Sequence, residues 1–491
     1  MSGEVKTGLT LKGSSLNKVQ IQRSFFFRQL AEEYCLEEAV LFPNNRNKKL
    51  LWLFFMFSSM PDINLFAKTD FRGKGETFGI KREDRRLHMY VIGKTGMGKT
   101  TLLLNMILND IYGNEGVCFI DPHGDAVEAL LDYIPSWRVN DVIYFNPADT
   151  DYPIALNVLE TVEPERRYFA VSGLISVFRK LYAEYWQHRQ EHILRNVILA
   201  LLDGEKTLLD YNKSKTLLDI YRMLSDWRYR NKIVGEIEDP IVKSFWKNEF
   251  PKYLYQFKGE ALSPIQNKLG AFLSVPLVRN IVGQTESRVD FRELMDKQKI
   301  LLVNLAKGRI GEDNSSFLGS LITTKLQLAA MSRIDIEEEQ RKDFYLFVDE
   351  FQNFVSIETF DGILSEARKY RLCLALAHQY IGQLDERLSK AIFGNVGTII
   401  SLPVGAENGE SLEKQFYPEF NRQDLVNHGK HHLYLMLAIN GRMSKPFSAV
   451  TLPPFYNFKP QGNREKIIAL SRSRYTCKRE EVEGKIERWG E

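Results

Sequence analysis

The sequence predicts an α/β fold, a core of β–α crossovers interrupted by an all-helical insertion, and two patterns carry that reading. The first is a series of short apolar runs at 88–93, 117–121, 142–146, 299–306, 344–349, 372–379, 397–404 and 432–439. They are nearly continuous rather than alternating, as expected of strands covered by helices on both faces. Helix-period stretches separate many of them, which favours crossover connections. The second is a change of pattern over 160–290, where RYFAVSGLISVFRKLYAEYW and HILRNVILALL show helical spacing and strand signals are few. The expected organisation is an N-terminal region (1–85), the first half of the core (86–159), the helical insertion (160–290), the second half (291–455) and a charged helical tail (456–491).

Bulk properties bound the rest. A chain of 491 residues is too long for one ordinary core. Its 44% hydrophobic and 26% charged content is that of a folded protein. With 66 basic and 63 acidic residues the net charge is +3, which excludes a strongly basic coat protein and leaves room for a local basic surface. Four cysteines (Cys35, Cys118, Cys373, Cys477) lie far apart, so a disulfide framework or zinc site is not expected. The N-terminus lacks a signal-peptide layout. The apolar run Leu50–Phe57 is far shorter than the roughly 20 residues of a spanning helix. It reads as a core or interface segment, and the chain as soluble.

The first chemical motif is Gly93-Lys94-Thr95-Gly96-Met97-Gly98-Lys99-Thr100, a GxxxxGK[ST] phosphate loop with a strand running in and a helix running out. Glycines let successive N–H groups curl round a phosphate, and the helix N-terminus adds its positive dipole end. Gly93, Thr95, Gly96, Met97, Gly98, Lys99, Thr100 and Thr101 are therefore the candidate ATP-binding positions. Lys99 is placed to neutralise the β- and γ-phosphates, and Thr100 to ligate Mg²⁺. The acidic strand FYLFVDEF follows, with Asp349 as a Mg²⁺ ligand and Glu350 polarising the attacking water, which makes the chemistry hydrolysis. Gln379 ends the strand LCLALAHQ and is a candidate γ-phosphate sensor.

The combination of GKTGMGKTT, FIDPHGD, LFVDEFQNF, ILSEARKYRLCLALAHQ and IFGNVGTIISLPVGAEN resembles the HerA/FtsK superfamily, and within it the TraD/TraG-type conjugative (type IV secretion) coupling ATPases. The resemblance runs from about residue 70 to 480. It implies a RecA-like core with a helical insertion, a homo-hexameric ring with DNA in its channel, and ATP between subunits. It places Arg368 where these proteins set an arginine that reaches the neighbour's nucleotide, with Arg309 a weaker second candidate. Asp121, of DPHGD, takes a supporting role around Mg²⁺ or the water. The family usually carries N-terminal transmembrane helices, and none is evident here. Either a membrane-embedded secretion partner supplies the link, at the inner face of the membrane, or the protein works in the cytoplasm.

Two rival functions remain open from sequence: a secretion ATPase driving protein export or pilus assembly, and a nucleotide-gated assembly platform. Two histidine patterns are set aside. His188, Glu191 and His192 match HxxEH but have no evident third ligand, and Glu191 with Arg195 makes an ordinary helical pair. His428, His431 and His432 are discounted likewise.

Overall fold

The computed structural model describes residues 62–70, 75–160, 164–182, 186–203, 215–257, 262–355, 357–455 and 459–490. The run Leu50–Phe57 lies outside the described residues. From Asn64 onward the chain forms one compact unit. Its strands are β1 (Ile63–Thr69), β2 (Thr77–Lys81), β3 (Met89–Ile92), β4 (Gly116–Asp121), β5 (Val142–Phe145), β6 (Ile300–Asn304), β7 (Phe344–Val348), β8 (Leu372–His378), β9 (Thr398–Ser401) and β10 (His432–Met436). A small ribbon of β11 (Ala438–Ile439) and β12 (Arg442–Met443) precedes β13 (Phe447–Thr451).

All but the ribbon join one 11-stranded sheet in the order β2-β1-β13-β10-β9-β3-β8-β7-β4-β6-β5. The stretch from β9 to β5 is parallel, and β10, β13 and β1 extend it antiparallel. The parallel strands are buried along their whole length, as their unbroken apolar sequences require. β1 and β13 are only half-buried. Residues 63–81, grouped above with the N-terminal region, thus supply two strands to the common sheet.

Helices α1 (Lys99–Tyr112) and α2 (Asp125–Leu131) follow β3 and β4. Between β5 and β6 the described elements are helical, and include α3 (Arg167–Leu181) and α4 (His188–Asp203). This segment docks through α3 on α6 (Glu312–Ser332), the long helix after β6, with α5 (Leu217–Ser225) lying beyond α4. The approach of α3 to α6 is close: a Cβ at Gly173 would meet Thr324 Cγ2 at 2.6 Å, so only glycine fits there. Beside this crossing Phe272 stacks on Phe317 with centroids 4.4 Å apart. Beyond 456 the described residues include two helices, Arg464–Tyr475 and Arg479–Gly490. The helix Arg464–Tyr475 lies against β5, where Ser471 Oγ accepts from Tyr144 N at 2.9 Å.

One buried ion pair ties α1 to the sheet. Arg85, in the helical turn before β3, donates to both carboxylate oxygens of Asp110 on α1 at 2.6 and 2.8 Å. Asn64 of β1 donates to the same carboxylate at 2.7 Å, and the guanidinium sits 3.5 Å over the Tyr345 ring of β7. Removing one partner of such a pair strands a buried charge. Asp110→Ala is expected to lower the unfolding free energy by about 3–5 kcal/mol, measured by equilibrium denaturation; a loss below about 1 kcal/mol would show that water or a neighbour readily replaces the carboxylate.

Candidate nucleotide site

Because β3, β8, β7 and β4 are parallel and adjacent, their C-terminal ends share one edge of the sheet. The register pairs Ile92 with His378, Leu376 with Val348, and Val348 with Ile120. The next residues are Gly93, Gln379, Asp349 and Asp121, so positions far apart in sequence meet at this edge.

The phosphate loop turns tightly out of β3. Gly93 packs on Leu402, where a Cβ would lie 2.8 Å from the leucine Cβ. Lys94 N donates to Pro403 O at 2.9 Å. Gly96 and Gly98 take φ values of 77° and 114°, conformations that side chains resist. Gly98 then caps α1, and Lys99, Thr100 and Thr101 form its first turn. The Lys99 amine curls back to donate to Gly93 O at 2.6 Å and reaches Lys94 O at 3.4 Å. Burial lowers its pKa, and the charges of Asp349 and Glu350 oppose that shift. A buried cation resting on its own loop's carbonyls suits a site that receives an anion.

The acidic side stands opposite. Thr100 Oγ1 donates to Asp349 Oδ2 at 3.2 Å, setting two hard oxygen ligands together. Asp349 Oδ1 accepts from Glu350 N at 3.0 Å. Among the described residues no group of three or more His, Cys, Asp or Glu could hold a metal. An ion at Thr100 and Asp349 would complete its shell from phosphate oxygens and water, the habit of Mg²⁺.

Glu350 is buried with φ of 47°, in the left-handed region. Gln379 Nε2 donates to one of its oxygens, and Gln352 Nε2 to the other at 2.9 Å. Gln379 Oε1 in turn accepts from Thr95 Oγ1 at 2.6 Å. Gln379 therefore bridges the phosphate loop and the candidate base. Gln352 was missed in sequence, although its position two residues after Glu350 was a usable signal.

The remaining candidates are otherwise engaged or lie elsewhere. Asp121 sits at the end of β4, but its oxygens accept from the backbone N–H groups of His123, Ala126 and Val127 at 2.8–3.2 Å. Its carboxylate caps α2, and it bears on the site through its charge on Asp349. Arg368 is exposed in the short helix Ala367–Tyr370 that precedes β8. It lies at the opposite end of β8 from Gln379, about 20 Å away by strand rise, so it does not meet the site of its own chain. Arg309, just beyond β6, pairs with Glu128 at 3.0 Å. In the HxxEH segment, Glu191 is held by Arg179, Trp186 and Arg195 at 2.6–3.0 Å, an ordinary buried-edge network. His431, set aside above, lies against the phosphate loop.

Burying the acidic cluster carries a cost. Burial, then the charges of Glu350 and Asp121, push the Asp349 carboxyl up to about 6, with Lys99 and Thr100 opposing. The folded state therefore holds this proton more tightly than the unfolded chain does. Its contribution to stability is full below the ordinary carboxylate range and is lost as pH rises through about 6. Asp349→Asn is expected to raise the thermal midpoint at pH 7.5 by roughly 2 °C or more, a gain that vanishes near pH 4, while abolishing Mg²⁺-dependent nucleotide binding. A pH-independent change in calorimetry would refute the assignment of strain to this charge.

The chain is similar to several known proteins. Residues 343–412, from β7 into α7 (Ala406–Phe416), match the family model described as the TraM recognition site of TraD and TraG. The type 4 coupling protein DotL of Legionella pneumophila is 24% identical over 312 residues, covering 56% of this chain and 39% of DotL. The chain thus spans about two fifths of the length of that relative. Among solved structures, the plasmid coupling protein TrwB in complex with ADP and Mg²⁺ superposes with a TM-score of 0.58 at 15% identity, covering 82% of this chain and 96% of that one. The conjugative coupling protein TrwB lacking its first 70 residues, in unbound form, gives 0.56 at 15% identity over 81% and 90%. VirB4 of Thermoanaerobacter pseudethanolicus gives 0.57 at 15% identity over 80% and 97%. The chain has the RecA-like P-loop fold and is similar in sequence and architecture to coupling proteins of the TraD/TraG type.

Proposed function

We propose that this protein is an ATP-hydrolysing ring motor that moves DNA, in the manner of a type IV secretion coupling protein. The observation that carries the hydrolytic half is the chain of contacts Thr100–Asp349 and Thr95–Gln379–Glu350, which joins a phosphate loop to a buried acid pair. Lys99 and the loop amides hold the phosphates, and Thr100 with Asp349 holds Mg²⁺. Glu350 takes a proton from the attacking water, for which its bonds to Gln379 and Gln352 must loosen. Gln379 reports the state of the loop to Glu350.

The exposed Arg368 stands at the opposite end of β8 from the phosphate loop of its own chain. In our reading it serves the neighbouring subunit, which makes the site complete only in an oligomer, a homo-hexamer by likeness to the family. The DNA cargo rests on the likeness to TrwB and DotL, both named coupling proteins. The match to a TraM recognition site favours a protein adaptor that presents that DNA. Among the described residues no helix is long and apolar enough to cross a membrane. We place the motor at the inner face of the membrane, held there by a secretion partner.

Steady-state ATP hydrolysis, with and without single- or double-stranded DNA at low salt, tests this reading. The expected result is severalfold stimulation by DNA and a loss of at least about 100-fold in Glu350→Gln. Hydrolysis indifferent to DNA at permissive salt would instead favour protein export. Arg368→Ala is expected to lower kcat by about 10³-fold. Mixing Arg368→Ala with Lys99→Ala subunits should restore part of the rate, because one interface then has an intact loop facing an intact arginine. No recovery on mixing would remove Arg368 from the site.

A further inference from the structure

The turn leading into β10 touches the phosphate loop on the side away from the acids. His431 N donates to Met97 O at 3.3 Å, and Thr451 N of β13 holds His431 O at 2.9 Å. The imidazole lies against Gly98, so that a Cβ there would meet its Nδ1 at 3.0 Å. His431 adopts φ of 68°, a backbone conformation unusual for a histidine, and its side chain is half-buried. The paired strands β13 and β10 anchor this turn.

The sheet order gives the turn a direction. Asp349, Glu350 and Gln379 follow β7 and β8, on one side of β3, whereas β9 and β10 lie on the other. A triphosphate whose terminal group faces Thr100, Asp349 and Glu350 must run across the loop. Its nucleoside then leaves on the opposite side, where His431 stands beside Met97 and Gly98. The imidazole is flat, and burial, with Lys430 and His432 nearby, lowers its pKa. Such a ring suits stacking on a base.

We infer that His431 is a nucleoside-binding residue of this site, contacting the base or ribose of a bound nucleotide rather than its phosphates. This rests on the ATPase reading above and assigns a role to a residue outside the phosphate-loop and acidic motifs.

The test compares ligands with and without a nucleoside. Affinities of Mg-ATP, Mg-ADP and Mg-tripolyphosphate are measured by calorimetry for the full chain and for His431→Asn, since asparagine tolerates positive φ. The expected result is a loss of roughly fivefold or more for ATP and ADP, with tripolyphosphate unchanged. Carbethoxylation of His431 in the unaltered protein, read by mass spectrometry, should be blocked by ADP and not by tripolyphosphate. Equal losses or equal protection with all three ligands would reduce His431 to a prop for the loop and overturn the proposal. Unchanged affinities and no protection would overturn it as well. Failure of the unaltered protein to bind any nucleotide would instead sink the ATPase reading.

Discussion

A single strand, β8, separates the phosphate-loop strand β3 from the acidic strand β7, and the geometry of the site depends on that spacing. Two interstrand steps amount to about 10 Å, which is room for a metal and a chain of phosphates between Lys99 and Glu350. The loop closes part of this gap, since Thr100 already reaches Asp349. The strand between carries Gln379 to the middle of the gap, where it touches both banks. Without β8 the acids would crowd the loop; with another strand Gln379 could not span it.

Holding these groups together works against stability. Lys99, Asp349 and Glu350 are buried near one another, and neither the lysine nor Asp349 keeps its ordinary proton affinity. Elsewhere the molecule compensates by rigid anchoring. The Arg85–Asp110 pair fixes α1 against β7, and the close crossing at Gly173 seats the helical segment on α6. Functional sites commonly hold groups that weaken the fold locally while packing elsewhere offsets them.

Much of the frame was legible in sequence, for a physical reason. Strands buried on both faces need unbroken apolar runs, and β3 to β9 declare themselves that way. β1 and β13 were missed because INLFAKT and FSAVT are half-buried, with mixed patterns that fit strand, loop or helix. The loop and the Asp349–Glu350 pair were legible as motifs at strand ends, and the parallel register brings those ends and Gln379 to one edge. Asp121 shares that edge, yet the amides of α2 claim its carboxylate, a competition that no spacing rule reveals. His431 was passed over because its partner at Gly98 lies more than three hundred residues earlier, and only the antiparallel placing of β10 brings it back.

The bridge through Gln379 has a consequence for the idle protein. One glutamine amide donates to each carboxylate oxygen of Glu350, so its side chain is held on both sides. On the proposed reading a subunit standing alone is interlocked: the candidate base is clasped by the candidate sensor. On that same reading fuel is spared until nucleotide at the loop and contact from a neighbour release the clasp together, which would tie consumption to assembly rather than to encounter.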